Sequence, residues 1–246
     1  MTPGIIIQAR IGSTRFRGKV LKDFYEGDSI LKIQIDKLSK LSVPLIIATG
    51  NASDDDPIED FARRQHIECF RGDENDVLKR YIDCAGFYGF SHIVRVCADN
   101  PFLSRDGVEQ LLSEMQQCSD TDYIAFSIAG TPSILTHFGF WAEGVPLKTL
   151  HQVAELTQEN MYREHVTNYI YNNPDTFSLR LIELDSFWQH KQHLRFTVDT
   201  ADDFFNMAYL YRIVNGNHNP EYLVNFVENM PELIEAMKTQ IKQNSK

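Results

Sequence analysis

Several features that would place a protein in a membrane or outside the cell are missing from this chain. No apolar run approaches the ~20 residues that span a bilayer. Met1-Thr2-Pro3-Gly4 leads directly into apolar residues, without the charged region, apolar core and cleavage site of a signal peptide. These absences lead us to expect a cytoplasmic protein with no membrane partner. Cysteine is scarce. The four present (Cys69, Cys84, Cys97 and Cys118) are widely separated and none forms a Cys-x-x-Cys pair. A zinc site or disulfide framework is therefore not suggested, and four buried, reduced thiols are expected. Positive charge is in the minority, with 24 Lys and Arg against 34 Asp and Glu, a net charge of −10. A field of that sign opposes binding of nucleic acid or an anionic surface. Ser-His-Asp and His-Glu-x-x-His arrangements are also lacking, as are linkers, repeats and low-complexity tracts. The 246 residues, 43% of them hydrophobic, therefore read as one domain over residues 1–246.

What is present is an alternation. Ile5-Ile6-Ile7, "PLIIATG" (44–50), "IECF" (67–70) and "HIVRVCAD" (92–99) read as strands. Helical patterns separate them over 29–41, 57–65, 73–88 and 104–117, with Pro57 at a helix start and Asp73 as an N-cap. Such β-α alternation predicts a mostly parallel sheet with helices on both faces. Beyond residue 125 the rhythm changes. Short strands are expected at 123–127, 137–141, 177–184 and 194–198. Helices are expected from Pro146, over 160–172 and three times after Asp199, with the final "QIKQNSK" frayed.

The stretch "IIIQARIGSTRFRGKVLK" places Arg10, Arg15, Arg17, Lys19 and Lys22 in a glycine-containing loop after a buried strand. A local cationic cluster on an acidic protein points to a small anion. The nucleoside-triphosphatase P-loop does not fit: five residues, not four, separate Gly12 from Gly18-Lys19, and Val20 stands where a hydroxyl would bind magnesium. The physics of anion binding still holds. Gly12 and Gly18 let backbone amides approach an anion, Arg15 offers forked donors and Lys19 a compact charge, on a loop expected to be exposed.

"QARIGSTRFRGKVL" resembles the N-terminal signature of the CMP-sugar-acid synthetases, most of all their spore-coat polysaccharide cytidylyltransferase relatives. Phe16-Arg17 replaces the usual Leu-Pro. "DDDPIEDFA", "FRGDENDVLKRY", "HIVRVCADNPF", "YREHVTNYIY" and "LRFTVDTADDF" follow in the family's order, and "SILTHFGFWAEGVPL" matches it less well. The resemblance implies a Rossmann-like nucleotide-diphospho-sugar transferase (glycosyltransferase-A) α/β fold. It implies a magnesium-dependent nucleotidyltransferase that activates a sugar with CTP for surface polysaccharide or glycan synthesis and releases pyrophosphate. A nonulosonic or related sugar acid is the expected acceptor, and a homodimer is left open.

The same resemblance assigns roles. Arg15 and Lys19 would hold and neutralise the triphosphate. Gln8, Ala9, Arg10, Gly12, Ser13 and Arg71 would bind the nucleotide. Arg163, Glu164 and His165 would face the sugar. Asp99 and Asp199, each following an apolar run, would be the Mg²⁺ pair, since that ion takes hard oxygen ligands and only one or two protein carboxylates. From the residues alone, Asp99 also suits a turn before Asn100-Pro101, Asp199 a helix cap beside Thr200, and Arg71 a surface ion pair. Asp54-Asp55-Asp56 formally matches the Asp-x-Asp of metal-dependent glycosyltransferases but reads better as a solvated turn. A glycosyltransferase consuming a nucleotide sugar, or a non-catalytic nucleotide-binding protein, are the rival functions.

Overall fold

Ile5, Ile6 and Ile7 are fully buried in the middle of β1 (Pro3–Gln8), because helices cover both faces of the sheet to which it belongs. In the computed structural model, which describes residues 1–118 and 120–243, β1 pairs in parallel with β4 (Leu45–Gly50) and β6 (His92–Cys97). β5 (Glu68–Gly72) extends the sheet beyond β4. On the other side follow β9 (Glu143–Pro146), β7 (Tyr123–Ile128) and β10 (Leu179–Glu183), in the order β10-β7-β9-β6-β1-β4-β5. β9 runs against both its neighbours, and the two-residue β8 (Thr131–Pro132) against β7. β2 (Asp23–Tyr25) and β3 (Asp28–Ser29) form a separate small hairpin.

Successive residues of a strand face opposite sides, so the isoleucines of β1 serve two cores. Ile5 and Ile7 pack with α1 (Ile30–Leu38), α4 (Arg105–Gln117), α8 (Ala201–Ile213), α9 (Pro220–Val227) and α10 (Pro231–Gln243). Ile6 packs with Val77, Leu78 and Tyr81 of α3 (Val77–Tyr88) and with Leu150 and Val153 of α5 (Leu147–Leu156). α2 (Asp56–Arg64) carries Pro57 in its first turn, where a missing N–H costs little.

Several elements differ from the sequence reading. Residues 137–141 and 194–198 lie in no strand, and Gly139 interrupts the first run with a φ of +63°. Each makes isolated main-chain bonds, Phe196 N to His137 O at 2.8 Å and Ser104 N to Phe140 O at 2.8 Å. Their apolar pattern records an aromatic core instead, with Phe140 and Phe196 centroids 4.7 Å apart and Trp141 and Trp188 4.8 Å apart. The helix expected over 160–172 is two short ones, α6 (Asn160–Glu164) and α7 (Asn168–Asn172), broken at His165. Asp76, not Asp73, caps α3, accepting from Lys79 N at 2.8 Å. The helix expected from Pro146 is present as α5, with Pro146 both closing β9 and standing at the N-cap. All four cysteines are free, and only Cys84 is buried. Of the tail expected to fray, residues 240–243 are helical and 244–246 lie outside the described residues. Among the described residues no helix is long and apolar enough to cross a membrane.

Candidate active site

The C-terminal ends of β1, β4, β5 and β6 lie side by side, the edge at which open α/β sheets bind ligands. The loop after β1 is tied to β4 by one carboxylate. Asp55, 3% exposed, accepts from Ile11 N at 2.7 Å and from Gly50 N at 2.9 Å. The acidic triplet is thus not simply solvated: its middle member is a buried anchor, while Asp54 pairs with Arg17 and Asp56 with Arg71. Gly18 takes a φ of +71°, a region costly for any other residue, and lets the chain turn into the short 3-10 segment Lys19–Leu21. Gly12 needs no such freedom and stands in open space. The Phe16-Arg17 departure has a structural explanation. Phe16 packs edge-on against Phe204 of α8, and Arg17 reaches Asp54 at 2.7 Å, so the loop is held without a proline.

Lys19 corrects an expectation, for its side chain is buried rather than exposed. Its Nζ donates to Val198 O at 2.5 Å and Asp99 Oδ2 at 3.1 Å, and lies 3.5 Å from Asp199 Oδ1. Arg15 donates to Asp199 Oδ1 at 2.9 Å. Arg195 donates to Asp199 Oδ2 at 2.6 Å and forks onto Asp203 at 2.8 and 3.0 Å. Burial alone would push the Asp199 carboxyl up, but Lys19, Arg15 and Arg195 outweigh it and hold Asp199 below its ordinary value. Thr200 and Asp203 form the capping box of α8, so Asp199 stands just outside that helix rather than capping it. The sequence reading missed Arg195 and Asp203. A signal existed, because Arg195 interrupts an apolar run, and a charge there is buried only with a partner. Arg95 in "HIVRVC" is the same case: it pairs with Glu143 at 2.5 Å, and Glu143 also accepts from Tyr123 and Thr167.

Gln8, Arg10, Ser13, Arg15, Lys19, Asp99, Glu164, His165 and Asp199 line one cleft of about 180 Å³. Two of the expected residues are turned elsewhere. Arg71 donates to Gly50 O and Ala52 O and pairs with Asp56 and Glu59, on the outer side of β5. Arg163 ties α6 to Asp76, Ala154 O and Gln158. Ala9 is 1% exposed and bonds through its N–H to Ala48 O. A second cavity of about 470 Å³ adjoins the first and shares Arg15, Arg95, Asp99, His165 and Asp199 with it. Its further lining joins apolar Leu135, Trp141 and Met161 to uncharged Ser133, Thr167, Asn168 and Tyr171.

The donor set fits a divalent cation that shares its ligands with a substrate. Among the described residues no group of three or more His, Cys, Asp or Glu side chains gathers as a closed metal cage. Asp99 and Asp199 nonetheless share a cation already, the ammonium of Lys19. Two carboxylates, with phosphate oxygens completing the shell, suit an ion such as magnesium.

Comparison with known proteins places the chain in a family and a fold. The cytidylyltransferase family profile matches residues 4–239. The spore coat polysaccharide biosynthesis protein SpsF of Bacillus subtilis is 30% identical over 215 residues, 84% of this chain and 85% of SpsF. A cytidylyltransferase structure from Leptospira borgpetersenii superposes with a TM-score of 0.84 at 23% identity, covering 95% of this chain and 97% of that one. A CMP:2-keto-3-deoxy-manno-octonic acid synthetase complexed with CTP superposes at 0.66 and 13% identity, over 87% of this chain and all (100%) of that one. The structural neighbours share the nucleotidyltransferase fold and its mostly parallel mixed sheet.

Proposed function

The chain belongs to the cytidylyltransferase family, and on that premise we propose that it transfers the cytidylyl group of CTP to a sugar oxygen and releases pyrophosphate. One observation carries this reading. A buried lysine and a half-exposed arginine, Lys19 and Arg15, converge on the carboxylates of Asp99 and Asp199 where a small charged cleft adjoins a larger, mostly uncharged one. The first suits a triphosphate and the second a sugar. A nonulosonic or related sugar acid is the proposed acceptor, and surface polysaccharide synthesis, the role named for SpsF, the proposed context.

In this reading, Arg15 and Lys19 exchange carboxylate partners for phosphate oxygens and neutralise the charge that builds on the α-phosphate and the departing pyrophosphate. Asp99 and Asp199 would hold magnesium, which when bound polarises the phosphoryl oxygens. Arg195 and Asp203 keep Asp199 in place as the partners change. His165 lines both cavities and would face the attacking sugar oxygen. The test is pyrophosphate release from CTP and magnesium with a panel of sugar acids and sugar phosphates. Release that depends on one acceptor is expected. Turnover of nucleotide sugars instead, or CTP binding without turnover of any acceptor, would favour the rival functions.

A further inference from the structure

One guanidinium in the candidate site keeps a donor that no described residue uses. Arg95, on the central strand β6, is 8% exposed and lines both cavities. Its Nη1 donates to Glu143 Oε2 at 2.5 Å, and its Cζ stands 5.9 Å from the centroid of the Tyr81 ring. Nε is enclosed, but Nη2 is neither enclosed nor partnered among the described residues. Glu143 is 1% exposed and lines neither cavity. Its Oε1 accepts from the Tyr123 hydroxyl at 2.5 Å and from Thr167 Oγ1 at 2.9 Å, so it grips the guanidinium from behind with both oxygens engaged. The Arg95 head is thereby pinned, with one edge left for whatever enters the cavities.

A second unused donor lies close by. Tyr171 of α7 lines the larger cavity, its ring centroid 5.9 Å from that of Tyr123, and its hydroxyl has no partner among the described residues. Burial is the main influence on that phenol and pushes its pKa up; Glu143 adds to the rise and Arg95 opposes it. The hydroxyl therefore stays protonated, a donor within the field of the Arg95–Glu143 pair. The neighbouring cations are already engaged. Arg163 is tied to Asp76, Ala154 O and Gln158, Arg15 to Asp199, and Lys19 to Asp99 and Val198 O.

We propose that Arg95 Nη2 and the Tyr171 hydroxyl receive the carboxylate of the acceptor sugar and so select a sugar acid over a sugar phosphate. This inference deepens the proposed function and rests on it. A carboxylate is a monoanion with two acceptor oxygens, which two separate donors satisfy. A phosphate monoester carries nearly two charges on three acceptor oxygens. Glu143 offsets the charge of Arg95, so the pair offers a directed donor with little net field. That suits a monoanion and leaves a dianion largely uncompensated. Arg15, the other guanidinium of the larger cavity, is assigned to the triphosphate. The sugar-facing cation expected at Arg163 is thus supplied by a strand residue that its partners hold rigid.

The test compares acceptors that differ only at this group. Pyrophosphate release from CTP and magnesium is measured with a panel of 2-keto sugar acids, the C1 carboxamide of each, and sugar 1-phosphates, in the wild type, Arg95→Lys and Tyr171→Phe. The wild type should favour the acid over its carboxamide in kcat/KM by about tenfold or more, as loss of a charge-assisted hydrogen bond predicts. Arg95→Lys keeps the charge and loses Nη2. It should bring that ratio below about threefold by raising KM for the acid, with KM for CTP within about twofold of wild type. Tyr171→Phe keeps the ring packing and should lower the ratio by about threefold or more. A side chain that only packs the cavity would change acid and carboxamide alike, so a ratio that both variants leave unchanged overturns the assignment. A wild type that uses the carboxamide as well as the acid, or that accepts only sugar 1-phosphates, overturns it too. If Arg95→Lys shows no thermal unfolding transition, Tyr171→Phe and the wild-type ratio decide. Failure of CTP to react with any acceptor overturns the proposed function and, with it, the premise of this inference.

Discussion

Two groups of buried cations flank the end of β1, and they are treated in opposite ways. On one side Lys19 and Arg195 are saturated by Asp99, Asp199, Asp203 and the Val198 carbonyl. On the other, beneath α3, Arg80 is buried as deeply and its Nε and Nη2 are left without protein partners. The first group stabilises the fold and arrives at the substrate already arranged. The second costs the fold stability. Pairing therefore separates the charges that hold the site together from one that burdens the fold, and mutations should tell the two apart.

The largest effect is expected at Arg195. Arg195→Met removes the guanidinium from Asp203 and one of three cations from Asp199, and breaking a buried ion pair from one side costs about 3–5 kcal/mol. Chemical denaturation should show that loss, opposite in sign to the effect of Arg80→Met. A stability change below about 1 kcal/mol would show that the network is not a structural one.

Lys19→Ala comes next. It should lower turnover by about 10²–10³ with saturating CTP, the usual cost of one preorganised charge contact. Because Lys19 is buried against two carboxylates, stability should also fall by about 1–3 kcal/mol. Near wild-type turnover would remove Lys19 from the triphosphate site.

Acid should discriminate between paired and unpaired groups in the same way. Asp199 is held below its ordinary value by cations, so its contribution to stability is lost only as pH falls through that lowered value. His218 stacks on Tyr211 at 4.0 Å with Nε2 unpartnered among the described residues, and burial followed by Lys37 pushes it down to about 4 from 6.5. The unfolded chain binds this proton first. Stability due to neutral His218 is therefore complete above pH 6.5 and is lost as pH falls from 6.5 toward 4. His218→Phe should flatten Tm over that interval, and an unchanged slope would reject the assignment.

The smallest effect is expected at Arg71. Its guanidinium is occupied by Gly50 O, Ala52 O, Asp56 and Glu59, and the two acidic partners raise its pKa, Glu59 most. Arg71→Ala should leave base preference within about twofold and cost no more than about 1 kcal/mol, as a largely exposed ion pair does. A loss of cytosine preference would return Arg71 to the nucleotide site.

The pattern of these expectations reflects what a chain can reveal locally. The loop from Gln8 to Leu21 was readable because strand, glycines and cations are contiguous. Asp99 stood out because it closes an apolar run at a strand end. Asp199 closes a similar run, although residues 194–198 turned out to be buried coil. Lys19 was misjudged as exposed because its partners lie 80 to 180 residues away. Arg71 and Arg163 look like free cations in the sequence, since their pairing with Glu59 and Asp76 is decided by packing. Arg80 gave no local sign at all. An arginine in a helix is ordinary, and only the cover of β5 and the neighbouring strands makes it anomalous. β9 was missed for a related reason, because "EGVP" lacks strand propensity and pairs only as two neighbours enclose it.

The most direct test of the account follows the phosphorus atoms of CTP. The protein is incubated with magnesium, a panel of 2-keto sugar acids and sugar 1-phosphates, and CTP labelled at either the α- or the γ-phosphorus. The account predicts that with a competent acceptor the α label moves into a sugar nucleotide and the γ label leaves as pyrophosphate. Recovery of the γ label on the sugar or as orthophosphate, or of the α label in unchanged CTP with every acceptor, would contradict it.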